Sequence, residues 1–171
     1  AGEVSIDDTL DALVARIEAV DSEINALPTL CIERARERAR SVEQKDSLLA
    51  GMPVAIKDLT DVAGVRTTHG STLYENNIAQ ESSLMVQRVE ANGGVIYAKS
   101  NTPEFGTGGN TFNDVFGATR NPHDTTRSAG GSSGGAAAAL ASGSAWLAQG
   151  SDLGGSLRTP ASFCGVTSLR P

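Results

Sequence analysis

The residues of this chain best suited to chemistry lie in two glycine-serine clusters. Gly130-Gly131-Ser132-Ser133-Gly134-Gly135 and Asp152-Leu153-Gly154-Gly155-Ser156 put Ser132 and Ser156 24 residues apart, with an Ala-rich run between them. Glycines let the backbone come close to a ligand, so a serine among them presents its hydroxyl beside open N–H groups. A nucleophilic serine also needs a base. Lysine is scarce, three residues against eleven arginines, and Lys57 and Lys99 each follow an apolar run. Burial disfavours the ammonium form, so a lysine at a buried strand end can act as a general base, which arginine cannot. The plainer alternative is that both snorkel at sheet ends or pair with an acid such as Asp58.

Histidine is the usual base, and His69 and His123 are the two in the chain. Gly131-Ser132-Ser133-Gly134-Gly135 formally matches the Gly-x-Ser-x-Gly nucleophile elbow, but that elbow follows a hydrophobic strand, whereas His123 to Ala129 is polar and Pro122 lies just upstream. Phosphate binding fits poorly, because no Gly-Lys-Ser/Thr follows the glycines and no Gly-x-Gly-x-x-Gly opens a helix after a strand.

The elements that must position these residues can be read from periodicity. Ser5 and Asp8 form a capping-box pattern, and Leu10, Leu13, Val14 and Ile17 then recur on one helical face. A second helix is expected from about Thr29 to Gln44. Its Glu33–Arg40 run mixes both charge signs, as a solvated face does. Val54-Ala55-Ile56 reads as a buried strand leading into Lys57-Asp58. Ser82 or Ser83 caps a helix through about Ala91, Asn92-Gly93-Gly94 ends it, and Val95–Ala98 forms the next strand. Strand, helix, strand is the rhythm of an α/β fold. Residues 100–135 are rich in Gly, Asn, Thr, Ser and Pro, an irregular stretch of the kind that builds sites. Ala136–Ala141 has the composition of a packed helix, and Ala145–Gln149 that of a buried strand entering the second cluster.

Composition narrows the function classes. The chain has 171 residues, 39% of them hydrophobic, which suits one globular domain with a real core. A net charge of -6 argues against a nucleic-acid surface. Cys31 and Cys164 lie far apart without Cys-x-x-Cys spacing, so neither a disulfide framework nor a zinc site is indicated, and a reducing cytoplasm is the default. No segment reaches the roughly 18 apolar residues of a membrane span, and Ala1-Gly2-Glu3 lacks the basic start of a signal peptide.

The order Lys57, Ser132, Ser156, with the Gly-Gly-Ser-Ser-Gly-Gly and Asp-Leu-Gly-Gly-Ser-Leu-Arg strings, closely resembles the amidase signature family of serine hydrolases. The likeness extends to Pro53-Val54-Ala55-Ile56-Lys57-Asp58, Gly64-Val65-Arg66-Thr67-Thr68, Phe116-Gly117-Ala118-Thr119-Arg120-Asn121-Pro122 and Pro160-Ala161-Ser162-Phe163-Cys164-Gly165-Val166. It implies an α/β fold with a mixed, twisted central sheet flanked by helices. Residues 1–50 would be an N-terminal helical arm and residues 51–171 a signature core that is incomplete at its C-terminal end. Family members continue well past Leu169-Arg170-Pro171, so the expectation is a partial domain that is poorly stable and inactive alone.

Carried over by position, the resemblance makes Ser156 the nucleophile, Ser132 a bridging serine on a cis Gly131–Ser132 peptide, and Lys57 the ultimate base. The oxyanion would meet the backbone N–H groups of Leu153, Gly154, Gly155 and Ser156. Ser133 would support Lys57, Ser151 would hydrogen-bond the bridging serine or simply end a strand, and Arg158 would line the substrate pocket or pair with an acid. Cys164 reads as a small buried residue. The implied activity is hydrolysis of a carboxamide, or of an ester, through an acyl-enzyme without metal or organic cofactor. The implied partners are a small amide substrate and the rest of the amidase chain or a second chain completing the fold. A homodimer is compatible, whereas direct nucleic-acid binding and membrane association are not expected. Two other readings remain open: a glutaminase subunit of a tRNA-dependent amidotransferase, and an inactive remnant of the fold that serves interaction.

Overall fold

The computed structural model of the protein describes residues 4–42 and 47–171. Its first helix, α1 (Ile6–Ile24), starts where the sequence places it. Ser5 accepts from the Asp8 N–H at 3.0 Å and Asp8 returns the bond to the Ser5 N–H at 3.0 Å, which satisfies two donors that a helix start leaves open. The second helix departs from expectation. Thr29–Leu30 is a short strand, β1, and α2 covers only Ile32–Ala39, while the expected end at Gln44 falls outside the described residues. The physical reason is tertiary. The strand β3 (Val95–Ser100) has a free edge, and β1 occupies it antiparallel, with the Cys31 N–H donating to the Tyr97 carbonyl at 2.8 Å.

β2 (Pro53–Lys57) and β3 pair in parallel, joined by α3 (Leu84–Ala91), whose N-cap is Ser83. On the far side of β2 lies β8 (Leu147–Ala148), also parallel, so the main sheet is mixed with the order β1-β3-β2-β8. The expected strand from Ala145 shrinks to two residues because Ser144 and Ala145 donate back to the Ala139 carbonyl and complete the end of α4 (Gly134–Ser142). Between β3 and α4 the irregular stretch folds into two small antiparallel pairs, β4 (Phe112–Asn113) with β5 (Gly117–Ala118) and β6 (Arg120–Asn121) with β7 (Asp124–Ser128). The last helix is α5 (Arg158–Cys164).

Both faces of the sheet are covered, which explains why β2 and β3 are continuous buried runs rather than alternating ones. On one face Leu10, Leu13 and Ile17 of α1 pack with Ala55, Tyr97, Ala98 and the alanines of α4. On the other, Val54, Ile56 and Ile96 pack with Val86 of α3 and with Val62 and Val65.

This two-faced sheet decides the fate of the two strand-end lysines. A register shift at Val54/Ala55 leaves Lys99 opposite Ile56 and Ser100 opposite Lys57. Side chains alternate along a strand, so Lys99 shares the Ile56 face and Lys57 lies on the other. Lys99, fully buried, donates to Asp58 at 3.0 Å and to Thr67 at 2.7 Å, the structural alternative. Replacing Lys99 by methionine leaves the buried Asp58 carboxylate without its counter-charge, and the expected loss is about 3–5 kcal/mol of unfolding free energy in a urea titration.

Candidate active site

Lys57 is the last residue of β2 and is completely shielded from solvent. Its ammonium nitrogen donates to three hydroxyls and to no carboxylate: Ser132 Oγ at 2.7 Å, Ser151 Oγ at 2.9 Å and Ser133 Oγ at 3.1 Å. Burial pushes its pKa down to about 8, against an upward pull from Asp152. Ser133 stands at the N-cap position of α4, and its hydroxyl is taken up by the lysine rather than by a helix N–H.

The first glycine-serine cluster forms the turn into α4. The Gly131–Ser132 peptide is cis, and both serines are buried. Tight packing accounts for the flanking glycines. A Cβ on Gly131 would sit 2.8 Å from the Asn110 nitrogen, and one on Gly135 would collide with the Asn101 backbone. The strand that feeds this cluster is β7, sequence Asp-Thr-Thr-Arg-Ser, part of a two-stranded surface pair and unlike the central strand of a nucleophile elbow. Neither histidine serves the cluster: His123 Nε2 lies 2.9 Å from the Cys164 carbonyl oxygen, and His69 stands near Asp61 and Tyr74.

The second cluster is organised by a residue that sequence reasoning missed. The shielded Asp152 carboxylate accepts from the N–H groups of Gly155 at 2.7 Å, Leu157 at 3.2 Å and Arg158 at 3.4 Å, and from the Arg158 side chain twice at 3.0 Å. The Arg158 guanidinium and these N–H groups hold the Asp152 carboxyl well below the usual carboxylate range. Asp152 thereby curls residues 152–158 around itself. The signal available in sequence was an acid followed by small residues and an arginine at i+6. Of the two readings left open for Arg158, the structure displays pairing with an acid.

Ser156 is partly exposed, and its carbonyl accepts from the Ser133 N–H at 3.1 Å, which ties the two clusters together. Gly155 has φ +108° and spends its N–H on Asp152, while the N–H groups of Leu153, Gly154 and Ser156 make no bond among the described residues. Ser151 bonds Lys57 rather than Ser132, and Ser133 bonds Lys57 and both donates to and accepts from the Ser151 backbone at 3.2 Å. Cys164 is buried and its thiol is pushed up to about 11 by that burial, so it is inert at neutral pH. Among the described residues no three His, Cys, Asp or Glu side chains gather as a metal site would require, and no helix is long and apolar enough to cross a membrane.

A fold of this topology with buried lysine and clustered serines defines a class, and comparison identifies it: the Amidase family model matches residues 8–171, and the chain belongs to that family. Among curated relatives, the A subunit of glutamyl-tRNA(Gln) amidotransferase from Koribacter versatilis is 48% identical over 94% of this chain, which covers 35% of that protein. Its counterpart from Carboxydothermus hydrogenoformans is 44% identical over the whole chain and 36% of its own length. Among solved structures, 6-aminohexanoate cyclic dimer hydrolase complexed with substrate superposes with a TM-score of 0.90 at 37% identity, over 96% of this chain and 34% of that one. The A subunit of the Thermotoga maritima glutamyl-tRNA(Gln) amidotransferase superposes with a TM-score of 0.78 at 33% identity, over 95% and 37%. The chain thus spans about a third of the length of the relatives it matches.

Proposed function

We propose that this chain carries the catalytic residues of an amidase that hydrolyses carboxamide bonds through an acyl-enzyme on Ser156. The observation that supports it most is the 2.7 Å bond between Ser132 Oγ and a buried, counterion-free lysine whose pKa is drawn down to about 8. Neutral Lys57 takes the Ser132 proton as Ser132 takes that of Ser156, and the Ser156 oxygen attacks the carbonyl carbon. Negative charge develops on the carbonyl oxygen and is met by the free N–H groups of Leu153, Gly154 and Ser156, each such donor being worth about 3–4 kcal/mol in related chemistry. Gly155 acts at one remove, since its N–H fixes the loop through Asp152. Collapse of the tetrahedral adduct breaks the C–N bond, and the lysine ammonium returns its proton through Ser132 to the leaving amine. Water, deprotonated by the same relay, then releases the acid.

In this reading residues 51–171 hold the chemistry and residues 1–50 brace it, in an enzyme completed by further chain or by a second subunit. It acts on a small amide in the cytoplasm without metal or organic cofactor, and homodimerisation is compatible with it. Ser132 and Ser156 share no direct hydrogen bond among the described residues, and the relay closes when substrate brings the second hydroxyl into line. The glutaminase reading is favoured by the names of relatives up to 48% identical, whereas the hydrolase reading is favoured by the higher TM-score of the cyclic dimer hydrolase.

Ammonia release by the full-length protein from simple carboxamides and from glutamine separates the two readings. The base must be neutral to act, so kcat/KM should rise with pH through about 8 and flatten above it. A limb near 6.5, where histidine titrates, would point to another base.

A further inference from the structure

The end of the β2–β8 ladder departs from the regular pattern at one residue. The Gln149 N–H donates to the Ala55 carbonyl at 2.8 Å, as the next rung of a parallel pair should. The following rung would run from the Lys57 N–H to the Gln149 main-chain carbonyl. Instead the Lys57 N–H donates to the Gln149 side-chain oxygen, Oε1, at 3.1 Å, while Nε2 of the same amide donates to the Gly150 carbonyl at 2.7 Å. The side-chain amide replaces a peptide group in the sheet, and the main chain is released to turn toward Ser151, whose hydroxyl meets Lys57 Nζ.

We propose that Gln149 is a positioning residue for the base: by standing in for the last rung of the ladder it fixes the Lys57 backbone while freeing the chain that brings Ser151 and the second glycine-serine cluster to the lysine side chain. One side-chain amide therefore couples both ends of Lys57 to the same turn. Gln149 also lies at the wall of an apolar groove of about 480 Å³, together with Ser133, Gly150, Leu157 and Trp146. The charged groups around Lys57 are few. Asp152 is committed to Arg158, and Asp58, next along the chain, is committed to Lys99. Acceptor strength and hydration at the Gln149 position are thus expected to be felt in the lysine's titration.

The inference rests on Lys57 being the base, and the test separates the two. In the full-length protein, kcat and KM for amide hydrolysis are followed from about pH 6 to about pH 10 for wild type, Gln149→Met, Gln149→Glu and Lys57→Met. Methionine keeps the volume and removes the acceptor. It should lower kcat about tenfold, leave KM within about twofold, and move the rising limb to higher pH as water reaches the turn. Glutamate keeps the acceptor for the Lys57 N–H, adds a negative charge, and sets a second oxygen where Nε2 had met the Gly150 carbonyl. It should move the limb upward, because an added carboxylate beside Lys57 favours the ammonium, while the repulsion at Gly150 lowers the plateau. A Gln149→Met protein with the wild-type plateau and limb overturns the proposal. So does a Gln149→Glu protein whose limb stays at the wild-type pH, and this arm stands even if Gln149→Met fails to fold. Full activity in Lys57→Met would instead overturn the assignment of the base.

Discussion

Replacing Lys57 by methionine is expected to lower kcat for amide hydrolysis by about 10³-fold with KM changed less than about threefold. Lys57 is fully enclosed, has no carboxylate in contact, and spends its three N–H bonds on serine hydroxyls. Holding an ammonium there is costly, which is why its pKa is drawn down to about 8 and a neutral amine is accessible at working pH. Methionine fills the volume with no charge to desolvate, which offsets the bonds lost by the three serine hydroxyls, so the variant should stay folded with an unfolding midpoint close to that of the wild type. Lost activity in a folded protein is then loss of the base. Arginine should not rescue it, since the guanidinium remains protonated. A steady-state comparison of wild type, Lys57→Met and Lys57→Arg, with thermal melts alongside, checks both halves of the expectation.

Much of this site was legible because its residues act locally. A lysine ending an apolar run is conspicuous in a chain so poor in lysine, and serines set among glycines announce exposed backbone. What periodicity left undecided was which lysine does which job. The register shift at Val54/Ala55 places Lys99 beside Asp58 on one face and Lys57 beside the serines on the other. Resemblance alone named Lys57.

The misreadings share a cause. Thr29–Leu30 looked like the start of a helix because an open sheet edge is invisible in a single sequence, and pairing with β3 outweighs the local preference. Of the two readings open for Ser151, a bond to the bridging serine or a mere strand end, neither anticipates its bond to the lysine, and the sequence reading does not reach the organising bonds of Asp152 and Gln149. All three act through hydrogen bonds whose partners depend on how the chain leaves β8, and that path is set by tertiary structure. The Ser5 capping box, closed within four residues, needed no such context.

Replacing Ser156 by alanine is expected to remove about 10⁴-fold or more of kcat and all acyl-enzyme formation, the largest effect of any single change here. The hydroxyl is the one group of the protein in the scheme that bonds to substrate carbon, and alanine offers no oxygen on which an acyl-enzyme could form. Alanine removes one oxygen from a partly exposed position and leaves the Gly155–Asp152 and Ser133–Ser156 backbone bonds intact, so stability should change by less than about 0.5 kcal/mol. Ser132→Ala should behave differently. It breaks the relay while sparing the nucleophile, so a slow residual acylation should persist in that variant and vanish in Ser156→Ala.

The most direct test is covalent labelling of the full-length protein with a fluorophosphonate, read by intact mass and peptide mapping. A single adduct on Ser156 is predicted, formed rapidly in wild type, greatly slowed in Ser132→Ala and Lys57→Met, and unaffected by substitution of His69 or His123. An adduct on Ser132, equal labelling rates in wild type and Lys57→Met, or loss of labelling on replacing either histidine would contradict the account.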